Sequence, residues 1–352
     1  VTSSLVMNSF LTKEEVTRVI EGKGSAGRIP LALHFWISPD RFGERTQEVM
    51  DLLAKCPYDF QGMGARQPDT TKAPDDDPSY RWVNYDVDDD LSAHGIDART
   101  LIPDWSLLDG ILADWPDPSY PGMFPANPEP DGRYRLGCWW FCFFERHWTL
   151  RGMENALTDY YTEPEQVHRL YRALTDFYKV VIRRYRSEIG ADGIFTSDDI
   201  GTQTGPFFAP AIFEEFFKPY YKELIDEAHA NGMHFWLHTC GNVEAFLPGF
   251  IEIGLDVIHP IQKYTMDERR IADLYGKNIC IWSGFDVQQT IPWGTPEEVR
   301  REVRFLYDTL ARPEGRLILT FGNGVTPDTP VESLEALFDE AVNYGIEVCS
   351  RF

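Results

Sequence analysis

Residues 234–262 read HFWLHTCGNVEAFLPGFIEIGLDVIHPIQ. Two short apolar runs, at 234–238 and 256–260, flank a segment (243–253) with apolar residues at i, i+3 and i+4. The runs have strand length, and the spacing between them is that of a one-sided helix. Strand, helix, strand over so few residues means parallel strands with a right-handed crossover. The alternation continues on both sides. Further apolar runs fall at 193–197, 279–283 and 317–321, with helical patterns at 211–231, 267–275, 296–310 and 330–344. The pattern predicts an α/β fold, either a (β/α)8 barrel or a doubly wound sheet.

The first half is less regular. LALHFWI at 31–37 reads as the first strand, 44–55 as a helix, GCWWFCFF at 137–144 as a buried strand, and 155–161 and 165–189 as helices. Between about Gln67 and Asp131 lies a stretch rich in Pro, Asp and aromatics, expected to form a lid or rim over one barrel face. Its acidic runs, Asp75 to Asp77 and Asp86 with Asp88 to Asp90, read as solvated charge, because the Gly and Glu of a calcium loop are missing.

Composition narrows the function. The chain has 352 residues, 33 basic and 56 acidic, for a net charge of −23. Phosphate backbones need a basic face, so nucleic acid is an unsuitable partner, as are anionic membrane surfaces. No apolar run is long enough to span a bilayer and no signal peptide opens the sequence. Six cysteines are too few for a disulfide scaffold and suit free or metal-binding thiols in a cytoplasmic protein.

Polar motifs fall just after the predicted strands, where βα loops meet at the mouth of a barrel. His238-Thr239-Cys240-Gly241-Asn242 places an imidazole and a thiol two residues apart, a soft half-site for zinc unless His238 merely caps the strand. Asp198-Asp199 and Gln203 follow the strand at 193–197; one carboxylate is expected to act as acid, acceptor or metal ligand, or else to cap the next helix. Asp199 and Gln203 are expected to line the substrate pocket, with Asp199 and His238 as the catalytic pair. His259 and Asn323 follow later strands and are candidate substrate contacts. Trp36 and Trp140, from an aromatic-rich wall, and Glu145 complete that set. The sequence holds no convincing Walker loop, GxGxxG turn, GxSxG elbow or HExxH helix, which weighs against nucleotide, dinucleotide, serine-hydrolase and zincin chemistry.

DDIGTQTGPFFAP at 198–210 and the block from His238 to Gln262 resemble the uroporphyrinogen decarboxylase superfamily. The resemblance implies one (β/α)8 TIM barrel over residues 1–352, with an elaborated N-terminal half and its site at the C-terminal mouth. It offers two activities. Decarboxylases of the superfamily carry an Arg-rich segment near the N-terminus, and the matching stretch here, residues 28–36, has no paired arginines. The corrinoid-linked methyltransferases hold zinc with His-x-Cys and a later Cys. The first two map to His238 and Cys240; the later Cys falls where this chain has Gly322-Asn323-Gly324. A third ligand is then expected from Asp199, His259 or Asn323. The methyltransferase branch, including its O-demethylase members, implies methyl transfer between a small O-, N- or S-methyl compound and a partner corrinoid protein. A decarboxylase and a non-catalytic barrel binding a small molecule or a corrinoid partner are the alternatives.

Overall fold

A computed structural model describes residues 9–84, 100–124 and 127–352. Seven parallel strands form one curled sheet in chain order: β1 Phe60–Gly64, β2 Tyr134–Trp139, β3 Gly193–Ser197, β4 His234–His238, β5 Val257–His259, β6 Cys280–Phe285 and β7 Leu317–Phe321. In place of an eighth strand, residues 30–32 bridge the two edges. Leu31 pairs with Leu319 of β7, Ala32 N donates to the Leu319 carbonyl, and Asp59 N donates to the Leu31 carbonyl just before β1. The edges are thereby covered, and the architecture is that of a TIM barrel.

The expected strand at 31–37 is corrected here. Only its first residues pair, because the chain turns at once into a 3-10 turn, Leu33–Trp36. That turn drives two aromatic rings into the barrel. Phe35 meets Phe195 and Trp282 at 5.4 and 5.7 Å, and Trp36 stacks on His259 at 4.9 Å. Burying Trp36 and packing Phe35 against the core outweighs a few more ladder bonds. The strand expected at 137–144 instead spans Tyr134–Trp139. It ends because Phe141 adopts a left-handed φ of 66°, after which Phe144–Arg151 is helical.

The barrel interior is filled by indoles and phenyl rings. Trp236 meets Trp282 at 5.2 Å, Phe195 meets Trp282 at 5.2 Å, and Phe60 meets Trp236 at 5.5 Å. Outside, helices such as Pro164–Arg184, Lys218–Ala230, Pro296–Leu310 and Val331–Ser350 follow the strands. The described parts of 67–131 make the crossover from β1 to β2. Trp82 packs on Phe177 of the Pro164–Arg184 helix, and Arg184 of that helix donates to the Pro118 and Tyr120 carbonyls. At the rim, Gln67 accepts a hydrogen bond from Trp140 N. Asp86, Asp88, Asp89 and Asp90 lie outside the described residues. Among the described residues no helix is long and apolar enough to cross a membrane, and all six cysteines are free.

Candidate metal and catalytic site at the barrel mouth

The ends of β3 and β4 converge because their loops touch backbone to backbone. A Cβ on Gly201 would sit 2.7 Å from the Cys240 carbonyl oxygen, and Gly241, at φ 85°, faces Gly201 in turn. A side chain at either position would drive the loops apart. Cross-loop bonds lock the contact: Asn242 N donates to the Thr202 carbonyl (2.7 Å), Ile200 N to Thr239 Oγ1 (3.2 Å), and Cys240 N to Asp199 Oδ1 (2.7 Å).

This brings three chemically different ligand atoms together. One atom each from Asp199, His238 and Cys240 lies within 4.8 Å of the others. His238 Nε2 is 3.4 Å from Cys240 Sγ and 3.5 Å from Asp199 Oδ1. His238 is buried, while Asp199 and Cys240 are partly open. Burial holds the imidazole below its usual range, though Asp199 opposes this. Burial, followed by the Asp199 charge, pushes the Cys240 thiol well up. Without a cation the imidazole is therefore neutral and the sulfur a thiol, beside the Asp199 side chain.

The two adjacent aspartates have separate surroundings. Asp198 is fully buried and accepts from Phe143 N (3.1 Å), Glu145 N (2.8 Å) and Tyr221 Oη (2.6 Å). It ties β3 to the start of the Phe144–Arg151 helix, and burial raises its pKa to about 6. Asp199 faces the mouth.

The other sequence-designated residues divide by depth. Glu145 is buried and accepts from Ser197 Oγ at 2.5 Å. Burial, then Asp199 and Asp198, push its carboxyl well up. Trp36 and Trp140 wall the site, with Trp140 edge-on to His238 at 5.8 Å. Asn323 Nδ2 lies 3.7 Å from Cys240 Sγ. His259 sits behind His238, with one ring nitrogen 2.6 Å from His238 Nδ1 and the other 2.7 Å from the Phe321 carbonyl. Gln203 is exposed in the turn closed by Thr202 and Gly205. Beside Cys240 opens a small cleft lined by Gln262, Lys263, Asp286, Gln288 and Asn323 among others. Sequence reasoning did not single out Gln262, whose side chain accepts from Gly241 N at 2.6 Å and holds the Cys240 turn. Its place just past the β5 end was the available signal.

A family model for uroporphyrinogen decarboxylase (URO-D) matches residues 148–344, which include every ligand of this cluster. The chain belongs to the URO-D family. Among its curated relatives, a methylated-thiol–coenzyme M methyltransferase of Methanosarcina mazei is 27% identical over 53% of this chain and 47% of its own length. A chloroplastic uroporphyrinogen decarboxylase 2 of Arabidopsis thaliana is 25% identical over 51% and 43%. A methylcobamide:CoM methyltransferase of the same Methanosarcina is 27% identical over 49% and 49%. The chain thus spans about half the length of the curated relatives it matches. A solved methyltransferase from Methanosarcina mazei superposes with a TM-score of 0.50 at 15% identity, over 61% of this chain and 60% of that one. At that identity the likeness concerns the fold. URO-D relatives therefore include both methyltransferases and decarboxylases, and the choice between them falls to the site.

Proposed function

We propose that this URO-D-family chain is a zinc-dependent methyltransferase that moves a methyl group between a small O-, N- or S-methyl compound and a corrinoid protein. The observation that carries this reading is the convergence of Asp199, His238 and Cys240 on one point at the mouth. One oxygen, one nitrogen and one sulfur donor make a three-ligand set with room for substrate, as in catalytic zinc sites. A zinc ion held by these residues would supply Lewis acidity, lowering the pKa of a substrate thiol or polarising a departing heteroatom.

The chain's own residues do the rest. Gln262 and the Gly201–Gly241 contact hold Cys240 in place. Trp36 and Trp140 wall off one side. Glu145 accepts from Ser197 Oγ and its N donates to Asp198, which holds the end of β3 against the Phe144–Arg151 helix.

The decarboxylase alternative needs cations for a polycarboxylate substrate. Among the described residues, the cleft beside Cys240 has one cation, Lys263, and it is paired with Glu302. Arg28, from the stretch where decarboxylases carry paired arginines, is buried against Asp59 through two bonds of 2.6 and 2.7 Å.

The test is methyl transfer by the zinc-loaded protein. Methylcobalamin is offered with small thiols including coenzyme M, and cob(I)alamin with methyl ethers, amines and thioethers. Metal-dependent transfer is expected with one such pair. Asp199→Ala should leave the fold intact and abolish it. Transfer that survives in Asp199→Ala, or decarboxylation of a porphyrinogen in place of any transfer, would contradict the proposal.

Asn323 offers a second check. Its side chain occupies the neighbourhood in which the methyltransferase resemblance expects a cysteine, 3.7 Å from the Cys240 sulfur. Asn323→Cys adds a thiolate to the set and should tighten zinc binding about tenfold or more, read by competition with a chromophoric chelator. Unchanged affinity would put Asn323 outside ligand reach.

A further inference from the structure

We propose that His259 is a positioning residue that fixes His238 in the Nδ1–H tautomer, leaving a lone pair on Nε2 aimed at Asp199 and Cys240. β4 and β5 place His238 directly beside His259, and their Nδ1 atoms are 2.6 Å apart. Two nitrogens that close share one hydrogen, so one donates and one accepts.

Which one donates is decided at the far side of His259. Its Nε2 lies 2.7 Å from the Phe321 carbonyl oxygen, which can only accept. Nε2 of His259 therefore carries hydrogen. A neutral imidazole has one N–H, so His259 Nδ1 is bare and accepts. The shared hydrogen belongs to His238 Nδ1, and neutral His238 then has no hydrogen on Nε2.

The neutrality of His259 follows from its surroundings. It is fully buried, stacked on Trp36 at 4.9 Å and 15°, and 4.6 Å from Trp282, with both nitrogens already engaged and, among the described residues, no carboxylate partner. A charge there would lack a counter-ion.

The arrangement matters because the local alternative is unfavourable for a ligand. Left to itself, an imidazole with Nε2 3.5 Å from a carboxylate would place its hydrogen on Nε2 and donate to Asp199. That hydrogen would block the one nitrogen facing the cluster. His259 removes this option before any ion arrives, and its own contact with Phe321 ties the setting to β7. The tautomer stands on geometry alone; its consequence for zinc rests on the metal reading given above.

The experiment separates the two. In metal-free protein labelled with 15N-histidine, long-range proton–nitrogen NMR should show His238 protonated on Nδ1 and bare on Nε2, and His259 the reverse. His259→Phe removes the acceptor; His238 should then move its hydrogen to Nε2, and zinc affinity should fall about 10–100-fold. His259→Asn returns an acceptor oxygen near the old Nδ1 position and should restore the Nδ1–H signature and most of the affinity. Wild-type protein with hydrogen on His238 Nε2 overturns the proposal, as does a folded His259→Phe protein with unchanged tautomer. If His259→Phe fails to fold, the wild-type spectrum and the His259→Asn protein decide. Wild-type protein showing the expected tautomers but no zinc binding would support the positioning role and refute the metal reading.

Discussion

Cys240→Ala protein should fold normally and bind zinc at least about 100-fold more weakly than wild type, with metal-dependent methyl transfer lost. The size follows from structural zinc sites, whose binding energies of roughly 10–16 kcal/mol are shared by four ligands. One ligand is then worth about 3 kcal/mol, or about two decades. The fold should survive because Cys240 sits in a half-open loop at the end of β4 and its side chain fills no core space. The loop is held by backbone groups that alanine keeps: Cys240 N to Asp199, Gly241 N to Gln262 and Asn242 N to Thr202. Matching far-UV spectra with wild-type zinc affinity would show that the sulfur is a bystander.

The second large effect belongs to Asp198 and falls on stability. Asp198→Ala strips acceptors from Phe143 N, Glu145 N and Tyr221 Oη, all buried. Leaving such donors unpaired, together with the cavity, should cost about 3–5 kcal/mol in urea unfolding. The acid also gives a pH signature. Its folded pKa is raised, by burial, from 3.8 to about 6, so between those values the folded protein holds more protons than the unfolded chain. The Asp198 contribution to stability is therefore greatest below the unfolded pKa and declines as pH rises through about 6. The total change is at most about 3 kcal/mol. The gap between wild type and Asp198→Ala should thus widen from pH 7 to pH 4.5. A gap that narrows over that range would mean Asp198 is ionised throughout, with its three donors outweighing burial.

Much of the barrel was legible because buried parallel strands are short apolar runs with no polar face to confuse them. Gly193–Ser197, His234–His238 and Leu317–Phe321 were readable at both ends. The Pro296–Leu310 helix announces itself through a capping box, with Thr295 and Glu298 bonding reciprocally. β1 was not legible. Its sequence, FQGMG, has two glycines and a glutamine, and it is a strand because β2 pairs with it along its whole length. The run at 31–37 failed in the opposite sense: its residues suit a strand, but the tertiary fit of Phe35 and Trp36 overrides them.

The site shows the same division. The His-x-Cys pair at a strand end was visible as a half-site. Asp199 was named beside it from the sequence, but the separate task of its neighbour Asp198, which accepts from Phe143 N and Glu145 N and ties β3 to the next helix, was not. The role of His259 was hidden as well. Both β4 and β5 end in histidine, but the contact depends on register, which pairs His238 with His259. Glu145 and Gln262 reach the site from the start of the Phe144–Arg151 helix and the loop after β5. Their placement depends on how loops cross at the mouth, where Gly201 meets Gly241.

X-ray absorption at the zinc edge of the metal-loaded protein tests the central claim most directly. The account predicts one zinc–sulfur distance near ~2.3 Å together with nitrogen and oxygen ligands at about 2.0–2.2 Å. The sulfur shell should disappear in Cys240→Ala. A wild-type spectrum with no sulfur shell, or one unchanged by Cys240→Ala, would contradict a metal held by Asp199, His238 and Cys240.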